Sequence, residues 1–158
     1  MDRTTNVPEG IELVWGEAEK RLEAQLRQAD ALDTKAGVLV GIHALAAGLL
    51  ASVASRIVGE ARRVAAVTIL GLLISGWFSL RAFRAQAYDR GPRPEAMWRF
   101  AAWSVDEIQL RFLSARFNAI SENREKLRAK ARSLTVSLVI LGVLAFGIGV
   151  ASFVGLLR

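Results

Sequence analysis

Asp33-Thr34-Lys35-Ala36-Gly37-Val38-Leu39-Val40-Gly41-Ile42-His43-Ala44 is the stretch on which the fold of this chain turns. Upstream the sequence is dense in charge. From Ala36 onward it carries no formal charge for 20 residues, through Ser55. At about 1.5 Å of rise per residue such a helix spans roughly 30 Å, the thickness of a bilayer's hydrocarbon core. The change from polar to apolar happens within two residues, so Asp33 and Lys35 sit at the expected water–lipid boundary.

Working outward, residues 11–35 predict an amphipathic helix. Ile11, Trp15, Ala18, Leu22, Leu26, Ala29 and Leu32 recur at three- and four-residue steps, while Glu12, Glu19, Glu23 and Arg27 fall on other faces. Pro8 and Gly10 break the chain before it, and no breaker separates it from the first span. Within that span, residues 36–55, the small residues Gly37, Gly41, Ala44 and Gly48 share a face that would let another helix approach closely, in the same chain or another copy. A short hairpin over residues 56–63 follows, with Gly59 expected as a helix C-cap. The second span, residues 64–80, is 17 residues long and has a small face of Gly71, Ser75 and Ser79. Arg81 and Arg84 extend it by reaching to the headgroups, and Trp77 and Phe78 suit an interfacial aromatic belt.

Gly91-Pro92-Arg93-Pro94 is the strongest breaker in the sequence and predicts that the helix leaving the second span stops near Asp89 or Arg90. A long helix is then expected over residues 95–133, with an apolar stripe of Val105, Ile108, Phe112, Ala115, Ala119, Leu127 and Ala131 interrupted at Asn123. It runs unbroken into the third span, residues 134–157, 24 residues without a charge. The expected fold class is therefore all-α: an integral membrane protein with three transmembrane helices, the first and third extended into a helical stalk.

Charge sets the expected orientation. Three spans put residues 1–35 and 81–133 on one side with 17 Lys/Arg, against 4 on the other, so the N-terminus is expected in the cytoplasm and the C-terminus outside. The net charge of +6 reads as the usual excess of a membrane protein's cytoplasmic segments, and no nucleic acid partner is expected. The first ten residues lack the pattern of a cleavable leader.

Chemistry has few candidates. The chain has no cysteine and one histidine, so cysteine zinc sites are excluded and most histidine sites with them; no cofactor is implied. No nucleophile elbow, phosphate loop or HExxH pattern occurs, which argues against an enzyme. His43, about two turns inside the first span, either takes part in function or hydrogen-bonds to a neighbouring helix. Asp33 is either a solvated boundary residue or faces a buried cation such as Arg128 or Lys130. Asn123 is either solvated or bonds across the stalk. With Lys35, these form the candidate stalk or gating contacts. Trp98, Arg99, Phe100 and Trp103 suit either an interfacial helix start or a platform for a base and a phosphate.

Two segments together resemble a known family. Residues 29–39 are similar to the "aDxKAxxLL" entry into the first membrane helix of the Pycsar transmembrane effectors (PycTM), matching at Asp33, Lys35 and Ala36. Residues 118–134, with Asn123, Leu127 and Lys130, are similar to that family's cytoplasmic helix, which ends "N…I…K" ahead of its last span. The order of helices agrees as well. The related SLATT membrane effectors share the layout and are a second candidate. The resemblance implies an antiphage effector of the bacterial inner membrane that responds to a cyclic nucleotide from a partner cyclase, forms a homo-oligomer and impairs the bilayer. It identifies no nucleotide-binding residue in this chain. A small membrane scaffold or accessory subunit without a ligand is the alternative.

Overall fold

The computed structural model describes residues 9–54, 56, 59–84, 87–89 and 103–156. Among them the only regular structure is helical: α1 (Glu9–Ala54), α2 (Glu60–Phe83) and α3 (Val105–Leu156). All three are long and apolar enough to cross a membrane. In lipid a backbone must satisfy its own hydrogen bonds, and an unbroken helix does so without help from a neighbour.

The chain divides into two compact units. One comprises Met1–Asp30 and Gln86–Arg128, the other Ala31–Ala85 and Ala129–Arg158. In the first, the polar unit, α1 and α3 lie parallel: Trp15 meets Phe112 edge to face at 6.4 Å, and Gln25 Nε2 donates to the Ile120 carbonyl at 3.0 Å. Ala18, Leu22, Ala29, Ala119 and Leu127 are buried between them, five members of the two expected stripes. Glu17–Arg21 and Glu23–Arg27 pairs at i, i+4 brace the exposed face of α1, each contributing a few tenths of a kcal/mol.

In the second, the apolar unit, α2 runs antiparallel to the other two helices. Its core is Ala36, Leu39, Ala82 and Leu134, with Leu32 and Leu141 packed against it. The close approach of α2 to α3 depends on Gly71: a Cβ there would stand 2.7 Å from Leu144 Cδ2, so any larger residue forces that leucine to move.

Three boundaries differ from expectation, each for a local reason. Gly59 is the N-cap of α2, not a C-cap of α1. Its φ of 68° and ψ of −142° lie in a region open essentially to glycine, and α1 has already ended at Ala54. α2 ends at Phe83, before the expected stop near Asp89, and residues 87–89 are irregular. Backbone groups of Ala87 and Asp89 are taken by side chains of α3: Asn123 Nδ2 donates to the Asp89 carbonyl at 2.7 Å, the Asp89 N–H donates to Asn123 Oδ1 at 3.0 Å, and Lys126 Nζ donates to the Ala87 carbonyl at 2.8 Å. Finally, α3 begins at Val105, not near Glu95. Ser104 and Glu107 form a reciprocal capping box, the Glu107 N–H on Ser104 Oγ and the Ser104 N–H on Glu107 Oε2, both at 3.4 Å. Residues 95–102 lie outside the described part.

Candidate functional site

The apolar unit holds a buried polar cluster that ties all three helices together. His43 Nδ1 lies 2.5 Å from the Leu39 carbonyl one turn earlier on α1. A carbonyl can only accept, so Nδ1 carries the ring hydrogen. In the neutral imidazole Nε2 is then the acceptor, and Ser75 Oγ of α2 stands 2.6 Å away to donate to it. Ser75 also meets Ser137 of α3, 3.0 Å between hydroxyl oxygens, and Ser79 meets Ser137 at 2.7 Å. Ser79 donates to Ser137 and Ser137 to Ser75, while the single Ser75 hydrogen is shared between His43 Nε2 and the Ser137 backbone carbonyl, 2.8 Å away, so the cluster links all three helices. The residues are buried, so each hydroxyl would cost free energy without a partner. In a bilayer, where apolar surface does not itself drive helices together, such bonds and small-residue packing fix which faces meet. His43 is therefore a helix-linking residue within the chain. Gly76 packs beside it, and a Cβ at that position would stand in ordinary van der Waals contact with the His43 Cβ at 3.7 Å.

Asp33 and Lys130 meet in the same unit. Lys130 Nζ donates to Asp33 Oδ1 in a very short ion pair. The two ends differ sharply in environment: the Lys130 side chain is 0% exposed, that of Asp33 38%. Lys130 thus takes its charge into the helix interface, while the carboxylate keeps contact with water. Arg128 and Lys35 are exposed. Asn123, in the polar unit, is fully buried and clamps the Asp89 backbone through both ends of its amide. Of the small face on α1, Gly37 stands against Phe83, where a Cβ would lie 3.6 Å from the ring. Gly41, Ala44 and Gly48 are exposed, and a Cβ at either glycine would meet nothing within 4 Å.

The polar unit contains a constellation that sequence reasoning missed. The Arg116 guanidinium lies 3.9 Å from the centre of the Trp15 ring and 3.9 Å from a Glu19 oxygen. Arg111 stands similarly over Trp103, at 4.0 Å. Trp98, Arg99 and Phe100 lie outside the described residues. The spacing of Trp15 and Glu19, one helical turn apart, was a usable signal for a facing cation; nothing in the sequence said which arginine. Ser137 was also missed, although Ser75 and Ser79 on one face of α2 called for a polar counterpart on a neighbouring span. Among the described residues no three His, Cys, Asp or Glu side chains converge as a metal site.

A membrane-crossing α1 entered through Asp33-x-Lys35-Ala36, and a long helix carrying Asn123 and Lys130 into the last span, are features now fixed in space. The family model that matches the chain is that of the Pycsar effector protein domain, over residues 17–157. The chain belongs to the Pycsar effector family. The match takes in all three helices and nearly the whole sequence. Membership makes this a bacterial membrane protein of antiphage defence, in a family of effectors that are not enzymes. No curated protein and no solved structure matches the chain.

Proposed function

We propose that this Pycsar effector responds to a cyclic nucleotide made by a partner cyclase, self-associates in the inner membrane and impairs it. The family match over residues 17–157 is the observation that carries this reading. The second half of α1 and of α3 adds support. Leu45, Leu49, Val143, Phe146 and Phe153 are exposed on a single chain, far more apolar surface than a water-soluble monomer tolerates, and available to lipid or to other copies. The open Gly41, Ala44, Gly48 face suits a close helix contact between copies. In the polar unit, Gln25 Oε1, Gln109 Oε1 and Arg116 Nη1 are buried without a hydrogen bond, groups that a bound ligand or a rearranged helix pair would satisfy. The charge asymmetry of the sequence supports a cytoplasmic position for the polar unit, where a nucleotide would be encountered.

The test is expression of the full chain in cells supplied with individual cyclic nucleotides while a dye reports membrane potential. Depolarisation with one nucleotide and not the others is expected. Stable potential with every nucleotide, at verified expression, would overturn the effector reading in favour of a scaffold without a ligand.

A further inference from the structure

Between α2 and α3 the apolar unit opens into a groove that neither the helix contacts nor the proposed signalling uses. It has a volume of about 370 Å³, within the range of small-molecule sites, and is walled by Val64 and Val67 of α2 and by Val143 and Ile148 of α3. Gly147 and Ala151 also line it on the α3 side. One hydroxyl, that of Thr68, reaches the wall, and it is spent on its own helix, donating to the Val64 carbonyl at 2.9 Å. The lining thus offers an occupant no free hydrogen-bonding group along its length.

The two ends differ. One is closed where Gly71 and Leu144 meet too tightly for a Cβ. The other opens beside Arg63, in the first turn of α2, with exposed Arg56 and Arg62 nearby in sequence and Glu60 the single acid of that turn. From Arg63 to Gly71 is about 12 Å along the helix, and one leaflet's hydrocarbon is about 15 Å deep. The groove therefore reaches from the interface to near the bilayer midplane and stops there.

We propose that this groove is a phospholipid site: one acyl chain lies between α2 and α3, and an anionic headgroup is held at Arg63. The inference rests on the membrane-spanning architecture alone and not on the signalling role. An acyl chain matches the apolar walls, the depth of one leaflet and the closed inner end. The cationic rim selects a phosphodiester with a net negative charge over a zwitterionic headgroup.

The test is native mass spectrometry of the full chain in detergent, with phosphatidylglycerol or phosphatidylcholine of identical acyl chains titrated in. The wild type should retain one phosphatidylglycerol more firmly than phosphatidylcholine. Arg63→Gln should weaken phosphatidylglycerol retention about fivefold and leave phosphatidylcholine unchanged. Gly147→Leu should reduce retention of both. It adds bulk to the lining at a position where a Cβ meets nothing within 4 Å, and it raises helix propensity, so the fold is expected to survive. Ala151→Leu, from the adjoining turn, repeats the test, with helical circular dichroism as the control. Equal retention by wild type and the filled variants would overturn the proposal. A filled variant that changes the dimer fraction but not lipid retention would also overturn it, and would assign the groove to a second copy of the chain.

Discussion

Asp33→Asn tests the ion pair at the mouth of the apolar unit. The substitution keeps shape and one acceptor oxygen but removes the charge that faces a fully buried ammonium. Breaking a buried pair costs about 3–5 kcal/mol, and the retained amide oxygen returns part of that, so a loss of roughly 2–3 kcal/mol is expected. Lys130→Met removes the other partner with a side chain of similar length. The carboxylate it leaves is already 38% exposed, and water can hydrate it, so the cost should be about 1 kcal/mol or less. The two changes should therefore differ by at least about fivefold in the unfolding equilibrium, with the acid the more sensitive end. In the Lys130→Met background, Asp33→Asn should cost almost nothing. The assay is unfolding of the full chain from mild-detergent micelles by dodecyl sulfate, followed by far-UV circular dichroism. Equal costs, or a double mutant equal to the sum of its singles, would refute the coupling and leave Asp33 a solvated boundary residue. Charge reversal gives an independent arm: Asp33→Lys should be harmful, and adding Lys130→Asp should recover part of the loss.

Four shorter predictions concern other parts of the chain. A reporter active only outside the cytoplasm should be active when fused after Arg158 and silent when fused at Gly91; the opposite pattern would rule out the expected orientation. Gly41→Leu or Gly48→Leu should leave monomer stability intact, since a Cβ there meets nothing within the chain, yet lower cross-linking between copies; unchanged cross-linking would mean that this face looks at lipid. Asn123→Ala removes both amide bonds to Asp89 and should cost about 2–4 kcal/mol, with faster proteolysis after Phe83, whereas Asn123→Asp keeps an acceptor for the Asp89 N–H but sets a carboxylate against its carbonyl and should not rescue. Ser75→Ala removes the hydroxyl between His43 and Ser137 and should lower stability in detergent by about 1–2 kcal/mol, read as a drop in melting temperature.

The clamp on Asp89 ties the segment that follows α2 to α3 within the polar unit. Asn123 and Lys126 hold the chain soon after α2 leaves its last turn, where Arg84 N–H still bonds the Leu80 carbonyl. Three hydrogen bonds are a modest tether, about 1 kcal/mol each, and are the kind of contact that a few kcal/mol of ligand binding can rearrange.

The three spans, the amphipathic approach of α1 and the apolar stripe of α3 were all legible in the residues. The reason is that a bilayer imposes a one-dimensional rule: a segment with no charge and enough length must cross it as a helix, whatever its neighbours do. Asp33, His43, Asn123 and Lys130 also stood out as candidates, with a solvated and a paired reading both open for Asp33 and Asn123. Their partners did not. Arg128 and Lys130 are two residues apart, roughly 200° around a helix, so only the rotation of α3 against α1 decides which one faces Asp33. That rotation is set by contacts between interchangeable small and apolar residues, by the serine chain through Ser137 and by the fit of Leu144 onto Gly71, none of which has a signature along the sequence. The early end of α2 has the same origin. A helix could continue to the Gly91-Pro92 break on local grounds, and it stops at Phe83 where the backbone just beyond is bonded by Asn123, a residue far away in the chain that only the tertiary structure brings near.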